Sequence, residues 1–319
     1  MRQQNSITSA SGKKLILALG GGGTRGAAHI GVLRELEKNH IHVDGIVGTS
    51  VGAIVGGFYC AGLSPDEIER VMLSKAFFRS YLTVPIIFRL VVAPVLYIPH
   101  LFGHHPYDGL YHGNRFAKYI NSRVASLPAN SANPALDIER FPVKFEAVSC
   151  DLLTARAIAI KKGNLGRALQ ASSAIPYLRR PVLMTQGDFR YLPGKPADDC
   201  KKSYLLVDGG PVANLPVRQA RALAETMGSG VVLAVDTYGS FADRKPGDFR
   251  KIGTVGERSL GIMLGSVERN ATTQADIMLS PELSDINLLS KKTADGMSAM
   301  RAGEKACQAA LADIQAKIQ

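Results

Sequence analysis

The residues best placed to do chemistry lie in Gly48-Thr49-Ser50-Val51-Gly52. A serine sits at the centre of Gly-x-Ser-x-Gly, directly after the apolar run 43–47 and directly before the small-residue run 51–61. That order makes the chain leave a strand, turn sharply and enter a helix, with the hydroxyl exposed at the turn. A side chain at Gly48 or Gly52 would crowd such a turn. A serine hydroxyl is a poor nucleophile at neutral pH. It needs a base to take its proton and donors to hold the oxyanion formed on attack.

The donor candidates are Gly21, Gly22 and Gly23 in the run Gly20-Gly21-Gly22-Gly23-Thr24-Arg25-Gly26. This run lies between a short buried strand, 14–19, and the helical pattern 24–38. Amides at such a loop point outward, and the helix N-terminus adds a field that favours an anion. Arg25 is expected to pin the loop to neighbouring carbonyls, the role favoured over meeting a substrate phosphate. A second reading competes: Gly21-x-Gly23-x-x-Gly26 after a strand, with Asp44 about 20 residues on, formally matches a dinucleotide fingerprint. Four consecutive glycines and an arginine are atypical of that fingerprint, and it leaves the Ser50 turn unexplained.

Histidine is the usual base, yet His29, His40, His42, His100, His104, His105 and His112 all lie within the first 112 residues. A Ser–Asp–His order with the histidine late in the chain is therefore hard to build. His29 falls inside the first helical pattern and reads as a packed residue; the paired loop histidines read as solvated. The remaining candidate is a carboxylate. Asp208 follows the apolar run 204–207 and precedes Gly209-Gly210, so it ends a buried strand. An Asp-Gly turn is the plainer reading of that dipeptide alone. The glycine loop, Ser50 and Asp208 each follow a predicted strand, however, and in open parallel sheets ligands bind beyond the strands' carboxyl ends.

The elements that must position these residues alternate. Strands are predicted at 14–19, 43–47, 143–149, 204–207, 231–235 and 277–279, with 155–160 pairing as a hairpin or edge. Helices are predicted at 24–38, 51–61, 65–75, 114–124, 165–172, 215–227, 257–271 and 294–318. The pattern implies an α/β fold in three layers, a mostly parallel central sheet with helices on both faces. Residues 1–12 read as a flexible tail, 13–290 as one catalytic domain and 291–319 as a C-terminal helix.

The chain has 319 residues, 46% of them hydrophobic, enough for a full α/β core. Thirty-eight basic and 27 acidic residues leave a formal charge of +11, which suits an anionic membrane or acidic substrate. No nucleic-acid motif and no interleaving of aromatic with basic residues accompanies it. Cys60, Cys150, Cys200 and Cys307 form no C-x-x-C pair and fit no zinc spacing; they read as reduced, mostly buried thiols of a cytosolic protein. Residues 1–14 lack the apolar core of a signal peptide. Residues 81–102 are very apolar but contain Arg89 and are broken by Pro85, Pro94 and Pro99, which argues against a spanning helix. Two readings of that segment stand level, a membrane-touching cap over 81–112 and a buried helix pair over the sheet.

Taken together, Gly21-Gly22-Gly23-Thr24-Arg25-Gly26, Gly48-Thr49-Ser50-Val51-Gly52 and Asp208-Gly209-Gly210 resemble the three ordered motifs of the patatin-like phospholipases. Ala171-Ser172-Ser173-Ala174-Ile175-Pro176 and Asn214-Leu215-Pro216 add to the likeness, which runs from about residue 14 to about residue 280. The resemblance implies a Ser50–Asp208 dyad without histidine, an oxyanion loop at Gly21, Gly22 and Gly23, and no metal or cofactor. It implies hydrolysis of fatty-acyl esters of a phospholipid or lysophospholipid, at a cytoplasmic or peripheral inner-membrane location. Arg25, Gly26, Gly48, Gly52, Gly209 and Gly210 support the motifs. Residues 81–112 and 187–202 depart from the family's pattern, so the ester's identity is open, as is oligomeric state. The competing classes are a dinucleotide-binding oxidoreductase and a non-catalytic membrane-binding module.

Overall fold

The computed structural model describes residues 12–82, 109–185, 203–238, 245–250, 254–266, 272–288, 290 and 292–319. Its strands are β1 (Lys14–Leu19), β2 (Gly45–Thr49), β3 (Lys144–Asp151), β4 (Arg156–Ile160), β5 (Val182–Thr185), β6 (Ser203–Asp208), β7 (Gly230–Val235) and β8 (Ile277–Leu279). They form one sheet in the order β5-β6-β3-β2-β1-β7-β8, with β4 hydrogen-bonded to β3. The pairs among β3, β2, β1, β7 and β8 are parallel. The central strands Leu-Ile-Leu-Ala-Leu of β1 and Val-Val-Leu-Ala-Val of β7 are buried on both faces, as a parallel sheet covered on both sides requires.

One face of the sheet, with Leu15, Leu17, Leu19 and Ile46, packs against α1 (Ala28–Lys38), α2 (Val51–Cys60), α5 (Asn114–Val124), α6 (Leu165–Ser172) and α10 (Thr293–Ile318). The opposite face, with Ile16, Ala18, Val47 and Val148, is covered by Val217, Ala220, Leu223 and Ala224 of α8 (Val217–Thr226). These are the expected three layers, with the sheet mixed rather than uniformly parallel. The C-terminal α10 shares the larger core through Ala299, Met300, Cys307 and Ile314.

Several elements differ from the sequence reading. The 24–38 helix splits into a 3-10 turn, Gly23–Ala27, followed by α1. Thr24 N–H is drawn to Leu288 O and Arg25 N–H to Gly22 O, which takes this turn out of α-helical register. The helix opened by Pro65 is α3 (Pro65–Met72), fixed by a Ser64–Glu67 capping box. A separate α4 (Lys75–Tyr81) follows, capped by Ser74 Oγ accepting Phe77 N–H at 3.1 Å. Strand β5 was not expected. The largest correction concerns β6, which runs antiparallel to both β3 and β5. Of the apolar segment 81–102, all but Tyr81 and Leu82 lies outside the described residues, as do His100, His104, His105, residues 187–202 and Cys200.

Candidate active site

Ser50 joins β2 to α2 with φ 54° and ψ −121°. A non-glycine residue held there stores about 1–3 kcal/mol of strain, which its surroundings must overcome. Ser172 Oγ does much of this: it accepts Ser50 N–H at 3.0 Å and donates to Val148 O at 2.6 Å. Thr49 Oγ1 donates to Ala213 O at 2.7 Å, at the end of the short helix α7 (Gly210–Ala213). Ser50 O accepts the Ile54 N–H that starts α2. The Ser50 side chain caps nothing, so its hydroxyl is available. Gly52 lets the elbow close on the end of β1, since a Cβ there would run into Leu19 O and Gly20 O.

Strand β3 brings Asp208 to this point. Residues Lys144–Val148 of β3 pair with β2, while Ser149, Cys150 and Asp151 pair with β4 on one edge and β6 on the other. Strand β4 takes the edge opposite β2, so β6 continues along β2's own edge of β3, beyond the end of β2 and in the opposite sense. The two strands meet end to end: Thr49 lies beside Val148 and Asp208 beside Ser149. The expectation that three parallel strand ends converge is thus corrected for Asp208, which reaches the crevice on an antiparallel strand.

The Asp208 side chain is 6% exposed. Its Oδ1 accepts Gly210 N–H at 2.9 Å, and its backbone N–H donates to Ala174 O at 2.9 Å. Burial pushes the carboxyl up to about 6 from its ordinary value; the Ser50 hydroxyl, the Gly210 amide and the charge of Arg179 act the other way. Oδ2 has no hydrogen-bond partner, and the Ser50 hydroxyl is near enough to act on the carboxyl. Catalytic hydrogen bonds are often loose before substrate binds.

The glycine loop abuts the elbow, the Cβ position of Gly21 lying 3.4 Å from Ser50 Cβ. Its atoms are largely committed. Gly20 N–H binds Val235 O, Gly21 N–H donates to Asn214 O at 2.9 Å, and Gly21 O accepts from Thr237 Oγ1. Of the three glycines named from sequence, Gly21 has therefore spent its amide. Gly22 and Gly23 are left as donors; Gly23 has φ 54° and a Cβ there would strike Leu288 O. Arg25, 8% exposed, donates from Nε to Ile286 O at 2.7 Å, tying the loop to the chain before α10. A Cβ on Gly26 would collide with Val51, on Gly48 would lie 2.5 Å from Ala53 N, and on Gly209 would lie 2.6 Å from Val148 O.

His29 is fully buried, with Nε2 2.7 Å from Gly20 O, and burial brings its pKa down to about 4. It is a neutral post under the loop. Asp44, the acidic residue the dinucleotide reading required, precedes β2 at the opposite end of the sheet, where Oδ2 accepts Leu15 N–H and Oδ1 pairs with Lys14. It cannot serve a ligand on the Gly21–Gly26 loop. Cys60, Cys150 and Cys307 are buried free thiols. No cluster of potential metal ligands occurs among the described residues, and none of their helices is long and apolar enough to cross a membrane.

The sequence does not single out Tyr81, Arg179 or Thr237, and it marks Ser172 only as part of Ala171-Ser172-Ser173-Ala174-Ile175-Pro176. Tyr81 OH donates to Ser173 O at 2.7 Å, and the Arg179 guanidinium carbon is 4.5 Å from the Tyr81 ring centre. Asn214, noted only as part of a motif, is buried with Nδ2 unpartnered between the glycine loop and Gly210.

The chain is similar to several known proteins. Patatin-like phospholipase domain-containing protein 6 of Mus musculus is 29% identical over 226 residues, covering 71% of this chain and 14% of its own. An uncharacterized NTE family protein of Mycobacterium bovis is 28% identical over 240 residues, 75% of this chain and 54% of its own. The chain thus spans little more than half, or much less, of these relatives' length. The crystal structure of VipD from Legionella pneumophila superposes with a TM-score of 0.47 at 14% identity, over 95% of this chain and 67% of that one. The model of the patatin-like phospholipase family matches residues 17–221, more than half of the chain. That match takes in the glycine loop, the Ser50 elbow and Asp208, and the chain belongs to the patatin-like phospholipase family.

Proposed function

We propose that the protein is a lipid acyl hydrolase of the phospholipase A or lysophospholipase type, working through a Ser50–Asp208 dyad. The observation that carries this reading is the end-to-end meeting of β2 and β6 on one edge of β3, which turns the Ser50 hydroxyl toward a buried carboxylate. Asp208 takes the proton of Ser50 as the hydroxyl attacks the acyl carbonyl. The amides of Gly22 and Gly23 hold the oxyanion. Asp208 returns the proton to the departing alcohol oxygen, leaving the acyl group on Ser50. It then takes a proton from water as the water oxygen attacks the acyl carbon, and passes that proton to Ser50 Oγ as the acyl–Oγ bond breaks, releasing the fatty acid and restoring the serine. A carboxyl raised to about 6 suits this work: it is ionised at pH 7 yet more basic than a solvated aspartate. The formal charge of +11 supports peripheral attachment to anionic lipid.

The test is hydrolysis of phospholipid and lysophospholipid in vesicles by the wild type, Ser50→Ala and Asp208→Asn. Both variants are expected to fold and to lose hydrolysis. Near-normal activity in Asp208→Asn would exclude the dyad. Vesicle binding without hydrolysis by the wild type would favour the non-catalytic membrane module.

A further inference from the structure

Among the described residues, Arg179 is an anomalous charged group. It lies in the stretch between Pro176 and β5, where its N–H binds Ile175 O and the neighbouring Arg180 N–H binds Tyr111 O. Its side chain is 1% exposed. The guanidinium carbon is 4.5 Å from the ring centre of Tyr81 and 4.7 Å from that of Phe116. Nε, Nη1 and Nη2 make no full hydrogen bond; the Tyr81 hydroxyl, which donates to Ser173 O, is at most a loose acceptor for them. Two aromatic faces compensate a buried guanidinium only in part, and charges left unpaired in an interior are normally eliminated.

Arg179 and Asp208 are held by one short segment, Arg179 N–H donating to Ile175 O and Asp208 N–H to Ala174 O. Arg179 and Asp208 lie within each other's field, and each has hydrogen-bonding capacity unused. The other titratable groups that interact with Asp208 are neutral at physiological pH: the Tyr81 phenol is pushed up to about 12 by burial, and burial also raises the Cys150 thiol. Ser50, Ser149 across the strand pair and the Gly210 amide carry no charge. Arg179 is thus the one cation acting on Asp208 among the described residues. A direct ion pair would occupy the carboxylate oxygens and remove the basicity that the dyad needs. A cation held back by two rings does neither.

We infer that Arg179 is a positioning residue for the dyad: its guanidinium, clamped between the rings of Tyr81 and Phe116, keeps the Asp208 carboxylate ionised while leaving Oδ2 free for the Ser50 proton. The inference rests on the Ser50–Asp208 reading. Its backbone setting fits this role, because one segment serves all three groups. Ser172 holds the Ser50 amide, Ala174 O holds the Asp208 amide, and Ser173 O holds Tyr81 against the guanidinium.

The experiment is the pH profile of kcat/KM for a soluble, uncharged p-nitrophenyl ester, measured on the wild type, Arg179→Met and Arg179→Lys, with Ser50→Ala as control. Methionine fills similar volume without charge, and replacing a buried ion by an apolar side chain is often tolerated. If Arg179→Met does not fold, Arg179→Gln carries the same prediction. The acid limb of the wild type is expected near pH 6. In Arg179→Met it should move up by about one pH unit, so that activity at pH 6 falls about fivefold while the plateau at pH 9 changes little. Arg179→Lys should return the midpoint toward the wild type. An unmoved midpoint with a uniformly lower plateau would make Arg179 merely structural and overturn the inference. A raised KM confined to an anionic ester would assign Arg179 to substrate binding and overturn it equally. If Ser50→Ala stays active, the dyad fails and this inference falls with it; an inactive Ser50→Ala beside an unmoved midpoint sinks this inference alone.

Discussion

Asp208→Asn separates stability from activity in a way that depends on pH. Asparagine keeps the side chain's shape and can retain the acceptor for Gly210 N–H, but it never ionises. In the wild type, burial raises the folded-state carboxyl from 3.8 to about 6. The folded protein then binds that proton more tightly than the unfolded chain, so stability is lost as pH rises through this window. The loss is absent below pH 4, grows between pH 4 and 6, and is complete above pH 6. A change of this size corresponds to about 3 kcal/mol, or about 5 °C in Tm for a chain of this length. The assay is thermal unfolding of both proteins between pH 4.5 and 8. The Tm of Asp208→Asn minus that of the wild type should rise across this range toward about 5 °C, whatever constant offset the amide brings. A difference that stays flat with pH would refute the claim that Asp208 is buried and ionised at a cost to the fold.

Three further substitutions bear on the elbow and its supports. Ser50→Gly removes the side chain from a φ of 54° and should raise stability by about 1 kcal/mol in urea titrations while abolishing hydrolysis. Gly52→Ala puts a methyl group against Leu19 O and Gly20 O; it should lower stability by about 1–3 kcal/mol, read from the urea midpoint. Ser172→Ala strips the partner from the Ser50 amide and from Val148 O. It should lower stability by about 1–3 kcal/mol and lower kcat more than it raises KM for the soluble ester, because it loosens the nucleophile and not a binding surface.

The strand–turn–helix at Ser50 is legible in sequence because its determinants are local: Gly48 and Gly52 on either side, an apolar strand before it and small residues after it. Helices α5 and α6 are legible for the same reason, their apolar spacing lying within one element. Strand pairing is not local. Nothing in Ser203–Asp208 shows that it runs antiparallel to β3, or that it continues along β3 where β2 ends. The residue that ends β6 was identifiable, but the geometry that carries it to Ser50 was not. The glycine run likewise marks a donor loop without showing that Gly21 N–H is spent on Asn214 O. Arg179 looks like any surface arginine in Leu178-Arg179-Arg180-Pro181. Its burial follows from Tyr81 and Phe116, which are distant in sequence and supplied by α4 and α5. His29, read as a packed residue, and Arg25, read as a loop clasp, hold positions of that kind: His29 Nε2 meets Gly20 O and Arg25 Nε donates to Ile286 O.

The central claim is that Ser50 is the nucleophile and Asp208 its base. The most direct measurement is the rate of covalent labelling by a fluorophosphonate probe at pH 7.5, with the modified peptide mapped, in the wild type and in Asp208→Asn. The account predicts a single adduct on Ser50 in the wild type and labelling at least about 100-fold slower in Asp208→Asn. An adduct on another serine, or labelling of Asp208→Asn at the wild-type rate, would contradict it.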